Sequence, residues 1–183
     1  MGDEELSDSV VSIARSRLPW LYVNLLTSSL GASIIGLFDH SIEKMVALAV
    51  LMPIVSAIGG NAGTQTMTVS VRALATRELD LYNAPRIIRR EAGVGIANGL
   101  ALATVMGIVA GFWFNDFQLG GVFAVANIIN FLVAALGGIL IPLILDRSGA
   151  DPAVSSAVFV TALTDICGFL SFLGIATWWF VLS

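Results

Sequence analysis

Any chemistry in this chain turns on Asp165. It is the one acid well inside a long apolar run, thirteen residues after Pro152. That spacing places it ~20 Å along a helix, close to the middle of a bilayer. A carboxylate at such a depth costs ~2.5–3.5 kcal/mol on insertion scales, so residues of this kind face a bundle interior or a water-filled cavity and mark ion or proton paths. Thr161 lies four residues earlier, Thr164 is adjacent and Gly168 follows three later, which puts a polar patch on one helix face. The apolar stretches hold no Lys, Arg or His to pair with Asp165. A carboxylate in that position is either protonated or matched by a cation from outside. The available ligand atoms are oxygens: one carboxylate, Thr hydroxyls, Asn and Gln carbonyls and backbone carbonyls. Such a set suits hard cations, Mg²⁺, Ca²⁺ or Mn²⁺. One carboxylate per chain is too sparse for a dehydrated Mg²⁺ but suits an ion held through its water shell; Na⁺ or H⁺ fits the composition equally well. A structural alternative is an Asp165 hydrogen-bonded to Asn61, Gln65 or Asn98 on a neighbouring helix.

The second polar element is Pro53 to Gln65, PIVSAIGGNAGTQ, inside another apolar run. A proline, three glycines, an asparagine, a threonine and a glutamine make it poor in helix-favouring residues. In hydrocarbon such a stretch is tolerated only against other protein or beside a water-filled cavity, where backbone carbonyls and amides can approach an ion. The competing reading is a packing seam in which small residues bring two helices close. Gly59, Gly60 and Asn61 are the candidate contributors to an ion path. GxxxG pairs at Gly59/Gly63, Gly95/Gly99 and Gly107/Gly111 support close helix packing without specifying a dimer face.

Positioning these residues is the task of an all-α membrane protein. The chain has 183 residues, 57% hydrophobic and 12% charged, against about 25% charged in soluble domains, and its mean hydropathy is +0.90. Its apolar runs give five spans, at approximately residues 18–38, 45–75, 91–114, 120–145 and 152–181, which form one domain over 15–183 after an acidic tail over 1–14. The second span is too long to cross straight, so it tilts, protrudes or breaks, with Pro53 or the glycine cluster as the natural break. Asn127 and Asn130 share one face of the fourth span. Asp151-Pro152 is a helix start, and Trp178 and Trp179 form an interfacial belt. Eight of the nine Lys and Arg, namely Arg15, Arg17, Arg72, Arg77, Arg86, Arg89, Arg90 and Arg147, fall at one end of such a bundle, and Lys44 alone at the other. The positive-inside rule then puts the N-terminus in the cytoplasm and the C-terminus outside.

Other classes find little support. The acidic start carries no signal-peptide pattern. The lone Cys167 reads as a packing residue, since one thiol makes neither a disulfide within the chain nor a cysteine-based metal cluster. His40, beside Asp39 and Glu43, reads as part of a solvated polar cap. Ser155 and Ser156 lack a histidine base, and no HExxH, CxxC or phosphate-binding loop is present, so no enzyme is expected. The basic residues Arg86 to Arg90 mark topology or anionic lipid rather than nucleic acid. No internal repeat is visible, so a symmetric site requires a second chain.

The stretches RLPWLYVNLL (Arg17 to Leu26), PIVSAIGGNAGTQ, RALATRELD (Arg72 to Asp80), RREAG (Arg89 to Gly93), GGILIP (Gly137 to Pro142) and DPAVSSAVFVTALTDICG (Asp151 to Gly168) occur in one order along nearly the whole chain. In this the chain resembles the transmembrane domain of the MgtE magnesium transporters and their eukaryotic solute-carrier relatives. The resemblance implies a five-helix protomer that dimerises, with an ion path on the dimer axis between the second and fifth spans. It implies Asp165 as the principal ion-site carboxylate, Gly59, Gly60 and Asn61 along the path, and a largely hydrated Mg²⁺ as the ion. Typical bacterial members also carry a long cytoplasmic N-terminal region that closes the pore, whereas about fourteen residues precede the first basic flank here, so that gating is not carried over. The expectation is a homodimeric Mg²⁺ (divalent cation) channel or transporter in the plasma membrane, with Asp165, Thr161, Thr164, Asn61, Gly59 and Gly60 as its metal-site residues. The rivals are an H⁺- or Na⁺-coupled secondary transporter working through Asp165, and a non-transporting membrane scaffold in which Asp165 is structural.

Overall fold

The computed structural model of the chain describes residues 9–79 and 82–182, and every regular element among them is helical. The expected tail residues 1–8 and the loop residues 80 and 81 lie outside the described residues. Five helices are long and apolar enough to span a membrane: α1 (Val10–Gly36), α3 (Ala47–Ala75), α4 (Ala84–Phe114), α5 (Phe117–Arg147) and α6 (Pro152–Thr177). The expected polar loop after α1 contains a short helix, α2 (Asp39–Lys44), and α6 runs on into a wider π turn at Trp178–Leu182.

The helices begin and end where local chemistry stops them, which is wider than their apolar cores. Ser9 caps α1 by accepting from the Ser12 amide at 3.3 Å, so the helix starts eight residues before the apolar stretch. Asp116 caps α5 by accepting from the amides of Gln118 and Leu119 at 2.9 and 3.0 Å. The residue before it, Asn115, takes the left-handed conformation (φ 53°) that asparagine tolerates and ends α4 there. Two residues thus suffice to reverse the chain. Asp151 caps α6 through the Ala153 amide at 2.9 Å, with Pro152 at the first helical position as expected.

The long second span does not break. α3 is continuous through Pro53 and through Gly59, Gly60 and Gly63. Without water to hydrogen-bond a freed backbone, the helix is kept. Of tilt, protrusion and break, the break is therefore the alternative not taken: the glycines serve close approach, and the backbone around them stays committed to the helix.

α5 is the centre. It buries fourteen residues, whereas α1 buries only Gly31. α4 packs along α5 through a ladder of small residues every fourth position, Gly95, Gly99, Ala103, Gly107 and Gly111, all buried. A methyl group on Gly95 would come within 2.7 Å of the Ala135 Cβ, and one on Gly107 within 2.8 Å of the Gly120 carbonyl oxygen. In lipid the helices gain nothing from hiding apolar surface, so association relies on such backbone-close van der Waals contact. The GxxxG pairs Gly95/Gly99 and Gly107/Gly111 are thus used inside the chain, against α5, and Gly59/Gly63 packs against α5 and α6. α3 and α6 pack on another side of α5 and on each other, and α1 lies along α6. The face of α5 turned to its neighbours places Phe123 edge-on against Phe172 of α6, with centroids 5.5 Å apart.

The tightest approach of backbone to backbone is Gly120 against Gly107, where an added methyl would overlap the Gly107 carbonyl. Gly120→Ala is expected to destabilise the bundle by about 1–3 kcal/mol, since backbone cannot move aside as a side chain can. Gly121→Ala, which meets nothing within 4 Å, is expected to be neutral or stabilising by up to about 1 kcal/mol. Thermal unfolding of both variants in detergent measures the contrast, and equal midpoints would refute this account of the α4–α5 seam.

Candidate ion site

Asp165 lies on α6 where that helix meets α3, and it is half-buried. Its Oδ1 accepts a hydrogen bond from Ser56 Oγ at 2.6 Å. That length belongs to a hydroxyl donating to a carboxylate. Its other oxygen has no hydrogen-bond partner among the described residues. On the far side of Asp165, α1 approaches through Gly31, where a methyl group would lie 4.0 Å from the Asp165 Cβ and 3.8 Å from the Phe169 ring. The partners proposed for a purely structural Asp165 do not reach it: Asn61, Gln65 and Asn98 instead line a separate cleft between α3 and α4.

The α3–α6 junction is set by Asn130 of α5. Its amide nitrogen donates to the Val55 carbonyl at 3.0 Å, and its side chain occupies the space left by two missing methyl groups. One would overlap it at Gly59, and the other would lie 2.7 Å from its nitrogen at Gly168. Ser56 follows Val55 directly, and Asp165 precedes Gly168 by three residues. The wedge therefore fixes the register in which Ser56 and Asp165 meet.

The six sequence-predicted residues divide. Thr161 is exposed on the Asp165 face of α6, one turn away. Gly60, one turn beyond Ser56 on α3, is partly exposed on the adjoining face. Thr164 is completely buried; its hydroxyl donates to the carbonyls of Val160 and Thr161, and it packs toward Gly63. Gly59 is buried beneath Asn130. Asn61 is exposed but lies about 140° around α3 from Ser56, on the α3–α4 cleft. Sequence reasoning missed Ser56, although it sits inside the motif, and missed the wedge, although Asn130 had been placed on a shared face with Asn127. Among the described residues, no three His, Cys, Asp or Glu gather as a metal-binding group.

The surface around Asp165 is unlike the rest of the bundle. From residue 51 to 68, α3 exposes no large hydrophobic side chain; it exposes Pro53, Ala57, Thr64 and Thr68, while Asn61 and Gln65 open on the α3–α4 cleft. On the Asp165 side, α6 presents Ala153, Ala157 and Thr161. By contrast, α4 exposes a continuous run including Leu100, Val105, Ile108 and Phe112. A helix facing acyl chains carries the second kind of surface, not the first.

Five apolar helices, with an intramembrane carboxylate on a polar face, define a multi-pass integral membrane protein. The family model described as a divalent cation transporter, MgtE, matches residues 52–175, more than half of the sequence. This chain belongs to the MgtE family. It is 36% identical over 174 residues to the magnesium transporter MgtE of Enterococcus faecalis, covering 95% of this chain and 38% of that protein. The Bacillus subtilis and Thermus thermophilus proteins of the same name are also 36% identical, over 90% and 91% of this chain and 36% and 37% of their own lengths. The chain thus spans little more than a third of the relatives it matches.

The wedge yields a coupled prediction. Gly59→Ala is expected to lower stability by about 1–3 kcal/mol through overlap with Asn130. In Gly59→Ala/Asn130→Ala the two costs should fall short of their sum by at least about 0.5 kcal/mol, because the clash is gone. Strict additivity in a double-mutant cycle would place the strain of Gly59→Ala somewhere other than Asn130.

Proposed function

We propose that the chain forms a homodimeric channel or transporter for Mg²⁺ and related divalent cations in the plasma membrane. Its ion path follows the two-fold axis between the α3 and α6 faces of the two copies. The observation that carries this reading is the exposed small and polar surface of α3 and α6 around a membrane-embedded carboxylate. Such a face is costly against lipid and is covered when a second copy presents the same face. The family and the printed names of its relatives support the choice of ion.

In this arrangement each copy brings one Asp165, so two negative charges meet one dication. Ser56 holds one carboxylate oxygen and leaves the other for the water shell of the ion. Thr161 and Gly60 line the wall next to it, whereas Asn61 stands apart on the α3–α4 cleft. Thr164 and Gly59 act from behind, as the packing that sets the wall. The excess of Lys and Arg at the end of the bundle holding the N-terminus assigns that end to the cytoplasm. A negative-inside potential then draws the cation inward, by about 2.3 kcal/mol per charge per 100 mV.

The test is Mg²⁺ entry into liposomes holding the purified protein under a negative-inside potential. Asp165→Asn removes a charge worth about 8 kcal/mol against a dication at 4 Å and an effective dielectric of 20, so flux should fall by more than about tenfold. Ser56 can still donate to the new amide oxygen, so the fold and the dimer should survive, as read by unfolding midpoint and gel filtration. Asp165→Asn that conducts like the wild type would show that the site has been misplaced. Ser56→Ala releases the carboxylate without discharging it and should cut flux about two- to tenfold, with a midpoint shift of about 1 kcal/mol or less.

A further inference from the structure

The cleft between α3 and α4 is the largest polar feature of the molecule outside the Asp165 face. Both helices pack on α5 yet barely touch each other. The cleft between them is about 440 Å³ and is lined on its polar side by Asn61, Gln65, Asn98 and Glu91. The three amide side chains make no hydrogen bond among the described residues. Amides open to acyl chains at this depth are unfavourable, so the cleft calls for a polar occupant.

The same chain holds a helix face that fits it. In its own copy α1 lies against α6 and buries only Gly31, and none of its residues lines the cleft. Ser29, Ser33 and Thr27 return their hydroxyls to helix carbonyls. Asn24 and Ser28 do not, and both are exposed. Arg17, Leu21, Asn24 and Ser28 form one exposed stripe at four-, three- and four-residue steps. On the cleft wall of α4, Glu91, Gly95, Asn98 and Leu102 repeat the same steps. Arg17 to Asn24 and Glu91 to Asn98 are each seven residues, and α1 and α4 run in the same direction because two reversals separate them. Laid side by side, amide meets amide, with Leu21 over the flat surface of Gly95, while Glu91 is held within its own helix by Arg90 at 2.9 Å.

Depth agrees as well. Gly31 lies at the level of Asp165, and Asp165 at the level of Ser56. From there Asn24 is ~10 Å toward the end of the bundle that holds the N-terminus, while Asn61 and Gln65 are ~8 and ~14 Å toward that same end.

We propose that the α3–α4 cleft of one copy is the seat of α1 from the other, so that the partner's Asn24 and Ser28 satisfy Asn61, Gln65 and Asn98. This rests on the dimer of the preceding subsection and adds to it. Where the Asp165 faces meet, α6 of one copy comes beside α3 of the other. The helix already leaning on α6 is α1, which is thereby carried to the outer side of the partner's α3, where the cleft opens. α1 closes the assembly as an exchanged strap, and each cleft is incomplete without the second chain.

Disulfide trapping between two differently tagged copies tests this in native membranes, with Cys167→Ser removing the sole cysteine. One copy carries Asn24→Cys and the other Asn98→Cys; the comparison pair replaces Asn98→Cys with Leu100→Cys, on the lipid-facing side of α4. A companion experiment with Thr161→Cys in both copies reads the axis. The expected result is a product bearing both tags, formed at least about tenfold more with Asn98→Cys than with Leu100→Cys, together with a Thr161 link. A Thr161 link without preference for Asn98→Cys overturns the strap, leaves the dimer standing and assigns the cleft to lipid. Absence of both links overturns the dimer and the strap with it.

Discussion

The placement of one asparagine governs the geometry on which the rest depends. Asn130 reaches from α5 to the Val55 carbonyl of α3 at 3.0 Å, pressed between glycines of α3 and α6. A backbone acceptor on one helix and a flat surface on the next admit one register, so three helices are fixed by a single side chain. The 2.6 Å contact between Ser56 and Asp165 is a consequence. The wedge is not optimal for stability alone, because its Oδ1 is buried with no hydrogen-bond partner among the described residues. Such an acceptor costs about 1–3 kcal/mol. An apolar residue of the same shape would avoid that cost but would lose the directional bond to Val55.

The bundle uses small residues for two opposed purposes. On α4 they recur every fourth position and let two backbones meet, so α4 and α5 behave as one rigid slab. On α3 and α6 the small residues either seat Asn130 and Val160, as Gly59 and Gly63 do, or lie open, as Gly60 and Ala157 do. Because α5 supplies the core contacts on one side, the opposite sides of α3 and α6 are released from packing within the chain. Those are the sides that carry Asp165, Thr161 and Thr64.

Much of this was legible from residue types. Apolar run length gave five spans, and Asp151-Pro152 gave the start of α6 to the residue. Depth along the helix singled out Asp165. What stayed hidden has physical causes. Proline and glycine read as helix breakers because in water a broken turn finds solvent partners; in hydrocarbon those partners are missing, and α3 stays whole. Thr161 and Thr164 both sit near Asp165 in sequence and only about 60° apart around the helix, yet one is exposed and the other, turned toward Gly63 of α3, spends its hydroxyl on α6 carbonyls. Ser56 and Asp165 are 109 residues apart, and no periodicity connects them. Their pairing follows from Asn130, whose partner is a carbonyl, a group that every residue has and no sequence distinguishes.

The sparseness of the site is itself a functional argument for the proposed dimer. A conduction path must bind its ion well enough to admit it and weakly enough to release it. A cage of several carboxylates would hold a bare dication tightly and would have to strip its waters, which Mg²⁺ gives up reluctantly. Two carboxylates on a two-fold axis match the charge of one dication while leaving its water shell in place. Ser56 then has a defined role: by donating to one oxygen at 2.6 Å it fixes the orientation of Asp165, so the attraction is already aimed when the ion arrives. Hydroxyls and carbonyls along α3 and α6 can exchange hydrogen bonds with the moving shell at little cost, because none of them has to replace a water in the first coordination sphere.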